Sequence, residues 1–338
     1  MTELASDPSA SRAGNSELER QLETHRRELA GYCYRMLGST FETDDAVQET
    51  MVRAWRALDR FDGRSSLRTW LYRIATNVCL DLLNGRKRRA LPMDFGPASP
   101  PIASSLGQPM AESVWIQPMP DSGVLTATAD PAELAVGRDT IRLAFIAALQ
   151  HLPPRQRAVL ILREVLRWSA LEVADLLDTT VASVNSALQR ARATLAAADP
   201  GSEDRFEPMD DEQKGLLARY VTAFTAYDID ALVSLLQEDA TASMPPFPLW
   251  LQGRDDIGKW HIGPGSTCEH STLVPIEVNG SPGYAHYRPG PDGLEPFSIQ
   301  VLELSKGRIS KITYFLDTDL FPRFGLPQRP PQPAPHPG

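Results

Sequence analysis

Residues 171–195 read LEVADLLDTTVASVNSALQRARATL, two apolar-periodic stretches broken by Asp178-Thr179-Thr180. That pattern is a helix-turn-helix, a motif whose second helix enters the major groove of DNA by its N-terminal part. Leu171, Val173, Ala174 and Leu177 would pack the first helix, and Val181, Val184, Leu188 and Leu195 the second. Ala182, Ser183, Asn185, Ser186, Gln189, Arg190 and Arg192 then face outward. Asn and Gln pair bidentately with adenine, and Arg anchors phosphates. A second candidate for phosphate contact is the run Arg86-Lys87-Arg88-Arg89, which a solvated helix end would also explain. Metal and thiol chemistry find no foothold. Cys33, Cys79 and Cys268 lie far apart without C-x-x-C or Cys/His spacing, so buried, reduced thiols, no metal and no cofactor are expected.

These residues need elements to hold them. The chain has 338 residues, enough for two or three domains, and is 42% hydrophobic and 23% charged. No apolar run approaches the ~20 residues of a membrane span, and the polar start MTELASDPSASRAGNSELER has no signal-peptide core. A cytoplasmic protein without membrane partners is expected. Residues 1–15 read as disordered and 16–91 as a helical domain. One periodic stretch runs to Gly38, and a second starts near Thr43 with Val47, Met51, Ala54 and Leu58 on one face. A third follows Ser65, carries Leu67, Leu71, Ile74, Val78 and Leu82, and ends in the basic run. Residues 92–131, rich in Pro, Ser and Gly, read as a linker, extended or disordered when alone. Trp115 and Ile116 are out of place in an idle tether and point to docking. Residues 132–198 are helical again, with a break at Pro153-Pro154, and 199–208 form a second linker. A helical start and then strand-like pieces, TLVPIEVN, FSIQVLEL and KITYFLD, make 209–325 an α+β domain. The Pro-rich stretch 326–338 reads as a tail.

The net charge of −9 argues, as a bulk number, against nucleic acid, but its distribution does not. Residues 16–94 hold 14 Lys/Arg against 12 Asp/Glu, and 138–195 hold 8 against 5. Residues 199–338 hold 11 against 20. An acidic module tethered to a DNA-binding one would repel DNA or mask its basic surface.

The segment DDAVQETMVRAWRALDRFDGRSSLRTWLYRIATNVCLDLLNGRKRR closely resembles region 2 of sigma-70-type initiation factors of the small extracytoplasmic-function (ECF) group. LPPRQRAVLILREVLRWSALEVADLLDTTVASVNSALQRARATL resembles their region 4, and the two matches, about 25–90 and 138–197, stand in family order. The resemblance implies a factor that binds core RNA polymerase, through the β′ clamp helices and the β flap, and directs promoter-specific initiation. It assigns Asp45, Gln48, Glu49, Val52 and Arg53 to the β′-binding face. It assigns Phe61, Arg64, Tyr72, Arg73, Asn77, Arg86, Lys87, Arg88 and Arg89 to single-stranded −10 DNA, with Tyr72 and Asn77 lining a pocket for a flipped base. Aromatic platforms and cations suit that task, since stacking contributes about 1–3 kcal/mol per base. Phe61 and Trp70 would serve equally as core residues. Duplex −35 DNA falls to Ser183, Asn185, Ser186, Gln189, Arg190 and Arg192. Here the chain departs from the family pattern V-K-S-R-L-H-R-A-R, because Asn185 and Ala187 replace two customary cations. The linker 92–131 would thread between the two regions.

The opening of 209–325 looks like a SnoaL-like domain, the cone-shaped α+β barrel also seen in ketosteroid isomerases. The fold expected is therefore multidomain: all-α region 2, all-α region 4 with its helix-turn-helix, and a C-terminal α+β barrel that tunes activity in cis. Phe247, Trp250, Trp260, Tyr284, Tyr287 and Phe297 would line a cavity for a small hydrophobic ligand or fill a plain core. Asp255, Asp256, His261, Glu269, His270 and His286 form no recognisable catalytic constellation, and no enzyme is expected. Two rivals stay open: a helix-turn-helix regulator acting without polymerase, and a SnoaL-like enzyme fused to a DNA-binding module.

Overall fold

The computed structural model describes residues 8–61, 63–126, 130–198 and 209–330. The second linker, 199–208, and the end of the Pro-rich tail, 331–338, lie outside the described residues. The stretch expected to be disordered, 1–15, is helical from Pro8, where α1 (Pro8–Leu37) begins. Gly38 ends that helix with φ +68°. Ser39 caps α2 (Thr40–Arg56), its hydroxyl accepting the Glu42 N–H, so this helix starts one turn earlier than its apolar pattern suggested. Ser66 caps α3 (Leu67–Leu83) in the same way through the Thr69 N–H. At Gly85 (φ +71°) the backbone turns left-handed, so the basic run 86–89 lies beyond the helix rather than at its end. Leu29, Cys33 and Met36 of α1 pack on Val47, Met51 and Ala54 of α2 and on Leu71, Ala75 and Val78 of α3. This is the stripe pairing the 3.6-residue period demands.

The 92–131 segment is ordered and docked. It runs through short 3-10 turns into a single-turn helix, α4 (Asp121–Val124). Trp115 and Ile116 are buried, as their apolar bulk required. Ile116 N–H donates to Ala90 O (3.2 Å) and Gln117 N–H to Gly38 O (3.0 Å). Tyr34 Oη donates to Gln117 O (2.8 Å) and Ser39 Oγ to Gln117 Oε1 (2.5 Å). On its other flank the segment meets the C-terminal domain, with Ser99 N–H on Trp250 O (2.8 Å) and Met110 N–H on Pro246 O (2.9 Å).

The second helical domain comprises α5 (Pro131–Asp139), α6 (Leu143–Gln150), α7 (Pro154–Leu160), α8 (Ala170–Leu176) and α9 (Val181–Ala198). Pro154 starts α7, and the helix widens into a π turn at Ile161–Val165. Ser169 and Glu172 close a reciprocal capping box on α8. Asp178 (φ 51°) makes the left-handed corner of the helix-turn-helix, and Thr180 Oγ1 accepts the Ser183 N–H at the start of α9. Val184, Leu188 and Ala191 seat α9 on the core. Leu176 is buried in α8, whereas Leu171, expected inside, is 62% exposed. The buried Arg157 ties this domain to α1: it donates to Met36 O, Gln150 Oε1 (2.8 Å), Gln150 O (3.3 Å) and Leu152 O (3.2 Å). Burial pulls its pKa down to about 10.

The C-terminal domain opens with α10 (Asp211–Ala226) and α11 (Ile229–Ser234). Then come β1 (Leu236–Ser243), β2 (Trp250–Gln252) and α12 (Arg254–Ile262). β3 (Thr272–Val278), β4 (Ser281–Gly290), β5 (Gly293–Ser305), β6 (Arg308–Phe315) and α13 (Leu320–Arg323) follow. Among the described residues the strands form one six-stranded sheet in the order β2-β1-β6-β5-β4-β3. β1 runs parallel to β6 and the other pairs are antiparallel, and the sheet stays open rather than closing into a barrel. Its two faces have different partners, as the two-residue period allows. Tyr284, Leu302, Ile312 and Tyr314 meet Leu217, Tyr220, Phe224 and Trp260 of the domain's own helices. Ala285, Tyr287, Ile299, Val301 and Phe315 join instead the core that begins in α1.

The helix-backed face also buries several polar groups. Tyr220 Oη donates to Gln300 Oε1 (2.8 Å), and His286 Nδ1 lies 3.1 Å from Ser298 Oγ and 3.2 Å from Gln300 Nε2. His261 Nε2 is 3.4 Å from Tyr314 Oη. Burial pulls the pKa of His261 down to about 4 and that of His286 to about 3, where His261 and Arg288 add to the effect.

Arg157→Met strips several buried carbonyl oxygens of their donor and should lower stability by about 3 kcal/mol, read by urea unfolding. His261 and His286 fold neutral, with pKa values below the ~6.5 of an unfolded histidine. Their stabilisation is therefore complete above pH 6.5 and lost as pH falls through the folded values. At pH 5 the loss is on the order of 2 kcal/mol for each, and His286→Phe should flatten the pH dependence of the C-terminal domain's melting.

Candidate nucleic-acid and polymerase interface

The stripe assigned to polymerase lies on the outer face of α2. Asp45, Gln48, Glu49 and Arg53 are exposed and Val52 is half-buried, while Ala46, Val47, Thr50 and Met51 face the core. Spacings of three and four residues put the five on one side of the helix. Glu49 holds Arg53 at 2.7 Å, and Arg53 reaches Asp81 of α3 at 3.4 Å. Farther along α2, Trp55 is 61% exposed, an apolar feature outside the expected set. A contact that sequence reasoning missed lies at the other end. Arg323 of α13 pairs with Asp44 (2.5 Å) and covers the Phe41 ring (5.2 Å), so the C-terminal domain abuts this face.

The residues assigned to the −10 strand do not form one open surface. Asn77 and Arg64 are exposed, and the half-buried Phe61 packs its ring on Trp70 (5.1 Å). Tyr72, expected to line a base pocket with Asn77, is fully buried. Its ring meets Tyr32 at 5.2 Å and Trp168 of the second helical domain at 5.2 Å. The Arg68 guanidinium sits 5.1 Å from the Tyr72 ring and 5.4 Å from the Trp168 ring, and donates to Glu28 at 2.9 Å. Arg73 Nη2 donates to Asp175 O of α8 (2.8 Å). The second helical domain thus lies across this part of α3.

The basic run is also largely engaged. Arg89 is buried and bonds Glu112 O (2.9 Å), Trp115 O (2.6 Å) and Glu42 (2.9 Å), fastening the linker. Arg86 pairs with Glu42, and Arg88 contacts His151 (2.8 Å) and Asp94 (3.4 Å). Lys87 is exposed.

The residues assigned to duplex −35 DNA are all presented. Ser183, Asn185, Ser186, Gln189, Arg190 and Arg192 are exposed on α9, with Arg192 reaching Glu164 at 2.6 Å. Asn185, Ser186 and Gln189 share a stripe at helical spacing, opposite the buried Val184, Leu188 and Ala191.

The six aromatic residues expected to line a ligand cavity are dispersed. Trp260 and Tyr284 are buried in the helix-backed core, with Phe247 at its edge. Tyr287 belongs to the opposite face, against Phe321 (5.2 Å). Trp250 donates its indole N–H to Gly96 O of the linker (2.9 Å), and Phe297 packs under Arg288 (4.2 Å). Asp255 and Asp256 occupy the first turn of α12, as a helix start predicts. Among the described residues no His, Cys, Asp and Glu cluster could hold a metal ion.

Comparison with known proteins agrees with this layout. Sigma-70 region 2 matches residues 22–89, and Sigma-70, region 4 matches 142–195. The ECF RNA polymerase sigma factor SigG of Mycobacterium tuberculosis is 46% identical over 324 residues, covering 95% of this chain and 86% of that protein. The ECF RNA polymerase sigma factor SigJ of the same organism is 26% identical over 329 residues, 93% of this chain and 96% of that one. The crystal structure of SigJ superposes with a TM-score of 0.58 at 22% identity, covering 93% of this chain and 99% of that chain. The extent of these matches, through both helical domains and on into the open-sheet domain, shows that the chain belongs to the ECF RNA polymerase sigma factors.

Proposed function

We propose that this sigma factor divides its work among separate faces for polymerase, the −35 duplex and the −10 strand. The stripe Asp45, Gln48, Glu49, Val52 and Arg53 on α2 meets the β′ clamp helices, and the second helical domain meets the β flap. α9 reads the −35 duplex through Ser183, Asn185, Ser186 and Gln189, with Arg190 and Arg192 on phosphates. Phe61, Arg64, Tyr72, Arg73, Asn77 and Lys87 hold the melted −10 strand. The C-terminal domain tunes this activity in cis, and the chain works in the cytoplasm beside polymerase. Among the described residues no helix is long and apolar enough to cross a membrane.

One observation carries the reading. The outer face of α2 and the reading face of α9 are both exposed while the opposite sides of both helices are core. The covered Tyr72 supports cis regulation, because a base cannot stack on a ring that Trp168 already occupies. Arg323, seated on Asp44 next to Asp45, supports it from the polymerase side.

The test is run-off transcription from fragmented genomic DNA with core polymerase. Discrete start sites that require the chain are expected; a chain that never changes the transcripts of core polymerase overturns the reading. Glu49→Arg should weaken binding to core polymerase about tenfold with little change in melting temperature. Asn185→Ala and Gln189→Ala should each relax promoter choice at one position by about 1–3 kcal/mol, measured as relative transcript yield from base-substituted −35 templates. Unchanged promoter choice would show that other residues do the reading.

A further inference from the structure

The closed arrangement is asymmetric. It buries Tyr72 beneath Trp168 and ties Arg73 to α8, yet leaves the outward face of α9 open. What keeps the second helical domain across α3 is therefore a question about the contacts that join it to the rest of the chain. One small element joins α1, the linker and the start of the second helical domain: the turn between β3 and β4 of the C-terminal domain.

Asn279 sits at the tip of that turn, fully buried and left-handed (φ 53°). Its side-chain Oδ1 accepts the Met119 N–H of the linker (2.9 Å), and its backbone N–H donates to Met119 O (3.0 Å). Its Nδ2 donates to Tyr34 Oη of α1 (2.6 Å) and to Ile141 O, between α5 and α6 (2.6 Å). One amide thus bonds the first helical domain, the linker and the second helical domain at once. The next residue reinforces it. Gly280 N–H donates to Asp121 Oδ1 (2.8 Å), and Arg138 of α5 lies within 3.5 Å of Glu277 and 4.0 Å of Asp121. Gly280 (φ +62°) also lies so close to α5 that a Cβ there would stand 2.5 Å from Arg138 O.

We propose that the β3–β4 turn is an intramolecular clasp, with Asn279 at its tip. It holds the second helical domain over the −10 surface while the −35 helix stays free. The clasped chain docks on duplex −35 DNA but has no exposed Tyr72 with which to capture a melted base. Release of the turn loosens the second helical domain over α3 and leaves Arg157 on Met36 O and Arg35 on Thr140 as its side-chain ties to α1. This inference rests on the assignment of α3 to the −10 strand and adds to it the residue that governs access. Core polymerase, by binding the two helical domains apart, would favour the released form through its differential affinity.

The mechanism makes Asn279 a positioning residue that touches no DNA. Asn279→Gly removes the side-chain bonds, adds no bulk and suits the left-handed backbone. Gly280→Ala drives a methyl group against Arg138. Hydroxyl-radical footprinting of the full-length chain reads Tyr72 and Trp168 directly, with Tyr220, buried inside the C-terminal domain, as the internal standard of folding. Loss of the three buried side-chain hydrogen bonds should shift the closed-to-released ratio by roughly 10- to 100-fold. Tyr72 and Trp168 should gain reactivity together, Tyr220 should not, and run-off yield at limiting core polymerase should rise. Affinity for a duplex carrying only the −35 half of a transcribed promoter should change by less than about twofold, because α9 is already exposed. Continued protection of Tyr72 in Asn279→Gly would overturn the clasp, whatever Gly280→Ala does to folding. So would a rise in −35 duplex affinity in step with Tyr72 exposure. If transcripts require the chain but wild type and Asn279→Gly are equal in yield and in Tyr72 protection, the clasp alone fails. If no form of the chain supports initiation, the sigma reading itself fails.

Discussion

The arrangement of the whole chain depends on a buried polar junction around Met119, Asp121 and Asn279. An amide group inside a protein costs free energy unless each donor and acceptor finds a partner. Here the partners come from separate segments: Tyr34 from α1, Met119 from the linker, Ile141 from the second helical domain. Withdrawal of any one leaves a hydrogen-bonding position of the buried Asn279 amide unfilled. Asp121 shows the same tension, since burial and nearby Glu277 raise its carboxyl pKa to about 6 although Gly280 N–H and Arg138 favour the charged form. A junction of this kind fixes geometry more sharply than an apolar contact of equal area, because hydrogen bonds tolerate little sliding.

The junction explains why the linker is structure. Its last stretch lies between Gly38, Ser39 and Tyr34 on one flank and the β3–β4 turn on the other. Arg89, Trp115 and Glu42 continue the same seam. It also bears on the role of the acidic C-terminal module. Of the ion pairs at this boundary, Arg138 with Glu277 has the expected polarity, whereas in Arg323 with Asp44 the C-terminal domain supplies the cation. The broader attachment is apolar, through the sheet face carrying Ala285, Ile299 and Val301. Surface ion pairs contribute little by themselves, about 0–1 kcal/mol each, so packing and the buried junction dominate.

Much of this was legible in the sequence where the signal is local. Periodicity located α2, α3 and the helix-turn-helix, and alternation located β3, β5 and β6, because each reports which side of an element is buried. It does not report against what. Tyr72 satisfies a base platform and an interdomain core equally well by type, and only the position of Trp168 decides between them in this arrangement. Arg86, Arg88 and Arg89 look like a phosphate grip in sequence, yet their partners Glu42, Asp94 and Glu112 lie on other segments. The open sheet was hidden for a similar reason, since closure depends on long-range strand pairing. Pro and Gly in 92–131 signalled irregular backbone correctly. That such backbone would be held in place was visible only in Trp115 and Ile116, whose burial needed a surface to receive them.

The energetics of switching follow from what the closed form buries. Freeing α3 exposes the Tyr72 and Trp168 rings and separates Arg68 from the Trp168 ring, a cost of a few kcal/mol in apolar area alone. Breaking the junction adds a comparable amount unless water replaces each lost bond at once. A single weak contact with DNA could not supply this. Two independent attachments to polymerase, one on α2 and one on the second helical domain, could, provided both cannot form while α8 rests on α3. On this argument the shortage of cations on α9 has a physical logic. If α9 reads the −35 duplex as proposed, its exposure here means that modest affinity for duplex DNA suffices, because stronger phosphate attraction would hold the closed chain on DNA away from polymerase.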